Sequence, residues 1–366
     1  MDASPRHRKN GPQRAVGRGT PLAPANRFES THSVEDLEQI ADDEEYLASL
    51  RRVRTQYLPD ESQSIVSQND SPDLGFRFSI NPYRGCAHGC AYCYARPTHE
   101  YLGLNAGIDF ETRVLVKHRA PELFRKFLAR RGWHPEMIAF SGVTDCYQPA
   151  ERRFRLTRGC LEVALECRQP VGVITKNALV LRDLDLLTPL AAGSHARVAI
   201  SLTTLDTQLA RDLEPGTSKP EARLRTIRAL TQSGVPTQVM VAPIIPGLND
   251  TEIPRLLEAA ADAGACYASF VLLRLPQTVK PVFLDWLSRV RPDEAKRVES
   301  LIRQTREGKL NDSRFGSRHR GNGQIAEQIA ATFGLFAGKF GLLNKPPPLD
   351  ASRFVRPVTD GQRRLF

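Results

Sequence analysis

Three cysteines fall within the short stretch "NPYRGCAHGCAYCYAR" (residues 81–96): Cys86, Cys90 and Cys93. Thiols this close can converge as thiolates on one metal centre. In a reducing compartment, clustered thiols serve as ligands or catalytic groups more often than as disulfides. A structural zinc ion wants a fourth protein ligand, ordinarily from a second C-x2-C or an H-x3-H pair. Neither pair occurs downstream, and His88 sits between the cysteines, where reaching the same metal strains the loop. A 4Fe–4S cubane held by three cysteines leaves one iron without a protein ligand, open to a small molecule. A zinc knuckle and incidental core thiols are the other readings of the stretch.

The loop needs a scaffold. From about Phe76, short β-rich runs alternate with helical segments. The pattern predicts strands at 76–81, 137–142, 171–175, 197–203, 237–243 and 267–273, with helices near 121–131, 150–168, 183–191, 220–233 and 251–263. The 220–233 segment has a start signal: Ser218 and Glu221 can form a capping box, Pro220 suits the first turn, and Leu224, Ile227 and Leu230 share a face. Strands alternating with helices imply parallel pairing through right-handed crossovers. Six units are too few for the closed eight-stranded barrel, so the α/β architecture expected is an open, partial parallel (β/α)6 barrel. Its chemistry belongs at the C-terminal ends of the strands, and the three cysteines follow the first of them.

Residues 1–32 are rich in Arg, Pro, Gly and Asn without apolar periodicity, and read as a disordered basic arm. A helix from Ser33 to Arg54 and an extended lead-in follow. From about Trp286 the chain is helical, passes a Gly- and Arg-rich loop, forms a helix near 323–333 and ends in a Pro-rich, extended tail. The divisions read as 1–70 (arm, helix and lead-in), 71–285 (barrel core) and 286–366 (helical C-terminal extension and tail).

The pattern C-x3-C-x-aromatic-C, with Tyr92 as the aromatic, resembles the motif of the radical S-adenosylmethionine (radical SAM) superfamily. The resemblance implies that Cys86, Cys90 and Cys93 hold a 4Fe–4S cluster, while the amino and carboxylate groups of SAM chelate the free iron. Reductive cleavage by an electron from a donor such as flavodoxin or ferredoxin then yields a 5′-deoxyadenosyl radical that abstracts hydrogen from a substrate. Ser141-Gly142-Val143-Thr144-Asp145 stands where the family binds the amino group of SAM. The stretch "PIIPGLND" is similar to the family's G-x-I-x-G-x-x-E: Ile245, which would pack on adenine, and Gly247 match, whereas Pro243 and Asp250 depart from the pattern. Ser201 or Thr203 would contact the ribose or carboxylate. "NPYRGCAHGCAYCYARPTHEYLG", "TDCYQPAE" and "LEPGTSKPEARLRTI" resemble the branch that includes spore photoproduct lyase and proteins labelled DNA-repair photolyases. The lyase donates hydrogen from a cysteine; Gly142 stands at that position here, with Cys146 displaced after Asp145. Cys146 and Tyr147 are the candidates for relaying hydrogen.

With 366 residues, a net charge of +10 and a pI near 9.4, the chain suits a polyanionic partner such as nucleic acid. The alternative function is a non-catalytic nucleic-acid-binding or adaptor protein with a structural metal site. No run of apolar residues is long enough to span a membrane and no apolar signal segment opens the chain, so a cytoplasmic location is expected. Cys160 and Cys167 read as core, and Cys266 as packing at a strand start. Arg96, His99, Glu100, Lys176 and Glu214 are placed to face the cavity, and the basic loop 314–323 to contact phosphate. Gln362–Phe366 resembles the short peptide with which bacterial repair and replication proteins dock on the sliding clamp.

Overall fold

The computed structural model describes residues 17–29 and 53–358. Along the described residues run β1 (Gln56–Pro59), β2 (Val66–Gln68), β3 (Phe78–Ile80), β4 (Tyr83–Arg84), β5 (Arg113–Val116), β6 (Ile138–Phe140), β7 (Val171–Thr175), β8 (Ala196–Ser201), β9 (Thr237–Ile244) and β10 (Tyr267–Leu272). The six strands that the periodicity predicts pair in parallel in the order β10-β9-β8-β7-β6-β3, and β2 adds an antiparallel edge beside β3. β10 and β2 are the two edges, so the sheet stays open and the architecture is the partial (β/α)6 barrel. β3 and β6 are buried at every position, as parallel strands covered on both faces must be. A second sheet, β1-β5-β4, lies outside the sequence reading, because its strands are too short to show a period.

Two helices differ from expectation for identifiable reasons. The helix expected over 150–168 is broken into Ala150–Phe154 and Leu156–Cys167 by Arg155, which adopts φ +53°. The buried Glu151 carboxylate accepts the backbone N–H of Thr157 (3.0 Å) and of Arg158 (3.3 Å), so a side chain caps the second helix and competes with a continuous one. The same carboxylate takes the Tyr83 hydroxyl at 2.5 Å and the Arg182 guanidinium at 2.7 Å. Helix Pro220–Gln232 begins with Pro220 in its first turn, but the capping box does not form. Ser218 Oγ accepts the N–H of Ala178 instead, and Glu221 accepts the hydroxyl of Thr207.

Residues 17–29, expected within a disordered arm, are packed: Thr20 and Asn26 are buried, and Ile108 N–H bonds to the carbonyl of Leu22 at 2.8 Å. Residues 30–52, with most of the helix expected from Ser33 to Arg54, lie outside the described residues; Val53 and Arg54 are not helical. At the C-terminal end, helices Val279–Val290 and Ala295–Gln304 build a second apolar core from Phe283, Trp286, Val298 and Ile302 against Cys90, Ala91 and Tyr92 of the cysteine loop. Helix Gln324–Lys339 extends the predicted 323–333 segment. Beyond it Leu343 bridges to Tyr267, and the extended tail crosses to Cys167. Cys160 and Cys167 are core residues, but Cys266 is exposed, because it precedes the edge strand β10. No helix among the described residues is long and apolar enough to cross a membrane.

Glu151→Ala removes a buried acceptor shared by Tyr83, Arg182 and two backbone amides. The expected cost is about 2–4 kcal/mol of unfolding free energy, read from the urea midpoint at unchanged slope. A change within about 0.5 kcal/mol would show that the helix break does not depend on this carboxylate.

Candidate active site

The loop that carries Cys86, Cys90 and Cys93 is held by backbone and charge more than by its own side chains. Gly89 has φ +64°, and a Cβ there would sit 2.6 Å from a carboxylate oxygen of Glu111. Arg96, completely buried, donates to the carbonyl of Cys90 from Nε (3.1 Å) and Nη2 (2.8 Å) and pairs with Glu111 at 2.6 Å. Its plane lies over the ring of Phe110, 5.4 Å from the centroid. Glu111 also accepts the N–H of Gly19 at 2.9 Å, and a Cβ on Gly19 would meet the carbonyl oxygen of Gly89 at 1.7 Å. Residues 17–29 therefore lie directly on the cysteine loop, and Arg27 pairs with the buried Glu100 at 2.6 Å. Arg96, His99 and Glu100 thus brace the loop from behind instead of facing the cavity; the His99 ring bonds to the carbonyl of Arg113 at 2.9 Å.

In front of the loop, at the C-terminal ends of the parallel strands, lies a cavity of about 480 Å³. Cys86, Cys90 and Cys93 all line it, as do Tyr92, Ser141, Gly142, Thr144, Asp145 and Ser201. Ile245 and Gly247 do not. Ile245 is buried in the second core, and Gly247 sits at φ +85° against Leu301, because β9 runs on to Ile244 and brings Ala242 and Pro243 to the cavity. Cys146 and Tyr147 are also off the cavity. Both are fully buried in the main core, and the Tyr147 hydroxyl donates to Asp183 at 3.0 Å.

The polar groups at the strand ends are interlocked. Asp145 accepts the hydroxyl of Thr175 and the N–H groups of Lys176 and Tyr147, each at 2.8 Å. Burial holds His88 neutral by lowering its pKa. Its Nδ1 lies 3.4 Å from Asp145, and its Nε2 accepts from Asn177 at 3.1 Å. Lys176 reaches Ser201 Oγ (2.5 Å), the carbonyl of Ala242 (3.0 Å) and Glu214 (3.2 Å). Glu214 is buried and also takes Arg223 at 2.5 Å, Thr203 at 2.7 Å and the Tyr92 hydroxyl. Burial alone would raise its pKa, but Arg223, Lys176 and these hydroxyls together hold it well below the usual carboxylate range. A side chain at Gly142 would come within 2.5 Å of Ser79, so this position has no room for the lyase's cysteine without movement of Ser79.

Burial pushes all three loop thiols up, and the carboxylates of Asp145 and Glu214 add to it at Cys86 and Cys90 respectively. Thiols so placed are neutral until a metal binds, since coordination deprotonates them outright. Among the described residues no three His, Cys, Asp or Glu side chains are grouped to hold one metal ion. A cubane asks for a different arrangement, one iron per thiolate, and three thiols from one loop that all line the cavity fit it.

The radical SAM superfamily model matches residues 80–260. The chain belongs to the radical SAM superfamily, and it is an enzyme. An uncharacterized protein of Mycobacterium tuberculosis is 40% identical over 233 residues, 63% of this chain and 68% of that one. Spore photoproduct lyase complexed with dinucleoside spore photoproduct is similar in structure, with a TM-score of 0.59 at 18% identity over 79% of this chain and 81% of that chain. A mutant of the lyase with bound AdoMet and dinucleoside spore photoproduct gives 0.58 at 18% identity, over 79% and 80%. These likenesses show the shared fold. Membership of the superfamily implies S-adenosylmethionine and an iron–sulfur cluster, and no finding supports the adaptor reading. The clamp-like tail Gln362–Phe366 lies outside the described residues.

Sequence reasoning missed Tyr94 and Arg274, whereas Arg318 and His319 fall within the 314–323 loop that it assigned to phosphate contact. Tyr94, Arg274, Arg318 and His319 also line the cavity. The Tyr94 hydroxyl donates to the carbonyl of Gly142 at 2.9 Å. Arg274, two residues past β10, donates to Nε2 of His319 at 3.0 Å. Burial, then the charges of Arg274 and Arg318, hold the His319 pKa down to about 4.

A histidine depressed in the folded state is protonated first in the unfolded chain. Its neutral form therefore contributes stability above about pH 6.5 that is lost as pH falls towards 4. His319→Gln is expected to flatten the fall in denaturation midpoint between pH 7 and pH 4.5 in a buffer of weakly binding anions. An unchanged slope would mean that His319 titrates normally.

Proposed function

We propose that this enzyme binds a 4Fe–4S cluster through Cys86, Cys90 and Cys93 and reductively cleaves S-adenosylmethionine to act on a nucleic-acid substrate. The observation that carries the reading is three thiols from one braced loop, those of Cys86 and Cys90 buried and that of Cys93 half-buried, opening on a cavity at the C-terminal ends of six parallel strands. When bound, the cluster supplies the electron that splits the sulfonium and frees a 5′-deoxyadenosyl radical to abstract hydrogen.

The chain's own residues bind, orient and shield. The backbone of Ser141–Asp145, with Ser141 at φ +82°, is fixed by Asn81, whose side-chain oxygen accepts the N–H groups of Val143 (2.8 Å) and Thr144 (3.2 Å). That rigid turn faces the cavity where the methionine amino group would lie. Thr144 braces it by donating to the carbonyl of Tyr83, and Asp145 ties it to the end of β7. Ser201 and Lys176 offer a hydroxyl and a cation to the methionine carboxylate or the ribose. Tyr92 supports the floor through Glu214, and Ile245 and Gly247 act from behind by holding the β9 end in place. Cys146 and Tyr147 belong to the support of this turn: the N–H of Cys146 donates to Ser141 Oγ at 2.8 Å, so they reach the site by positioning Ser141. The surplus of positive charge supports a polyanionic substrate, and the electron comes from a donor such as flavodoxin or ferredoxin.

Anaerobic reconstitution is expected to give about four irons per chain and, with dithionite, conversion of SAM to 5′-deoxyadenosine. Changing Cys86, Cys90 and Cys93 together to Ala abolishes both, whereas Cys146→Ala leaves iron content intact. Iron–sulfur absorption that survives the triple change would overturn the assignment.

A further inference from the structure

The cavity is also lined by a cation with no ion-pair partner among the described residues. Arg274 is half-buried, and among the described residues no carboxylate lies within ion-pair distance of it. Among the described residues its one hydrogen-bond partner is the ring of His319 at 3.0 Å, and its buried Nε has none. Burying a guanidinium in this state is costly, and proteins ordinarily provide an anion for it.

The neighbouring charges do not supply one. Asp73 is taken by Arg318, at 2.5 Å from Nε, and by the N–H of Gly316 at 2.7 Å. Asp312 is held by Arg314 and Ser317. Arg306, buried behind the wall, donates to the carbonyls of Leu273 and Ser317 and adds positive charge. Within this group Arg274 and Arg306 are therefore unbalanced, and only Arg274 lines the cavity. The same cavity is lined by the apolar side chains of Leu74, Phe76, Val271 and Leu273, the last two beside Arg274 in sequence, and by Tyr94.

We propose that Arg274, held in place by His319, forms an anion subsite that takes a phosphate ester of the substrate, with the apolar side chains lining the same cavity receiving the ring attached to it. This rests on the reading of the cavity as the active site and adds the group by which substrate is recognised. A guanidinium presents paired donors that match two phosphate oxygens, and its free Nε and Nη2 lie on one edge of the fork. His319, 3.0 Å from Nη1, fixes the guanidinium among the residues that line the cavity; it is a positioning residue. One phosphodiester charge balances the cavity-facing cation.

The test uses the full chain, reconstituted with iron, and measures binding of the dinucleotide TpT, its neutral methylphosphonate analogue, inorganic phosphate and succinate. TpT is expected to bind at least about tenfold more tightly than the neutral analogue. Arg274→Gln is expected to remove that difference, and Arg274→Lys, which keeps the charge without the fork, to restore only part of it. Thermal melting of both variants separates loss of the subsite from loss of the fold. Equal binding of TpT and the neutral analogue by the wild type overturns the proposal. So does tighter binding of succinate than of phosphate, or an Arg274→Gln variant that loses SAM affinity while keeping the discrimination. Iron content and SAM cleavage of the wild type are measured alongside. A wild type without either fails the earlier reading, whereas one with both but no phosphate discrimination fails this one.

Discussion

The buried pair of Arg96 and Glu111 is the interaction on which the cysteine loop depends. Both side chains are completely excluded from solvent, and burial raises the carboxyl pKa of Glu111 even though Arg96 opposes it. Such a pair is not a source of much net stability, but removing one partner typically costs about 3–5 kcal/mol. Its value here is geometric. Arg96 spends its remaining donors on the carbonyls of Cys90, Ala106 and Gly107, and Glu111 spends its second oxygen on Gly19. One ion pair therefore fixes the cysteine loop, the segment after it and the N-terminal strap in a single arrangement. Three thiols that burial keeps protonated gain a defined orientation before any metal arrives.

The opposite side of the loop is fixed by a second charged group with a different logic. Glu214 has Arg223 and Lys176 as cationic partners, and Tyr92, between two of the cysteines, joins it through its hydroxyl. Gly216, two residues on, lets the backbone come so close that a Cβ there would meet the carbonyl oxygen of Ala87 at 2.3 Å. The "EPG" of the sequence is thus a contact surface for the cysteine loop, with the carboxylate as its anchor and the glycine as its clearance. Lys176 links this anchor to Ser201 and to the carbonyl of Ala242, tying the ends of β7, β8 and β9 together. A displacement of any of these strand ends would be felt at the cysteines.

What was legible in the sequence was whatever chemistry is local or periodic. Cys86, Cys90 and Cys93 declare themselves because their function sits in one loop, and the six strands because apolar β-branched runs alternate with helical faces. The strap was not legible, since it is held by Arg18, Gly19, Asn26 and Arg27 through backbone and ionic contacts, with no apolar stripe to give it away. Arg155 and Glu151 hid a helix break because an acidic residue inside a helical run looks like ordinary surface. Ile245 and Gly247 matched a motif by type, yet a strand one residue longer than predicted moved Ala242 and Pro243 to the cavity in their stead. Arg274 and His319 are 45 residues apart, and only the fold makes them neighbours.

The distribution of reactive hydrogens around the cavity suits an enzyme whose chemistry passes through a radical. Thiol and phenol hydrogens are held weakly enough to quench one, so a chain that generates radicals must keep stray donors away from the substrate's place. Cys146 and Tyr147, adjacent to the cavity turn in sequence, are withdrawn into the core, and the hydroxyls of Tyr92 and Tyr94 are committed to Glu214 and to the carbonyl of Gly142. The clearance at Gly142 is filled by Ser79, so the turn offers no thiol of its own. With these phenol hydrogens engaged, orientation falls to charge. Lys176, just past the end of β7, and Arg274, just past the end of β10, both line the one cavity, so a bound molecule meets positive charge from two separate strands.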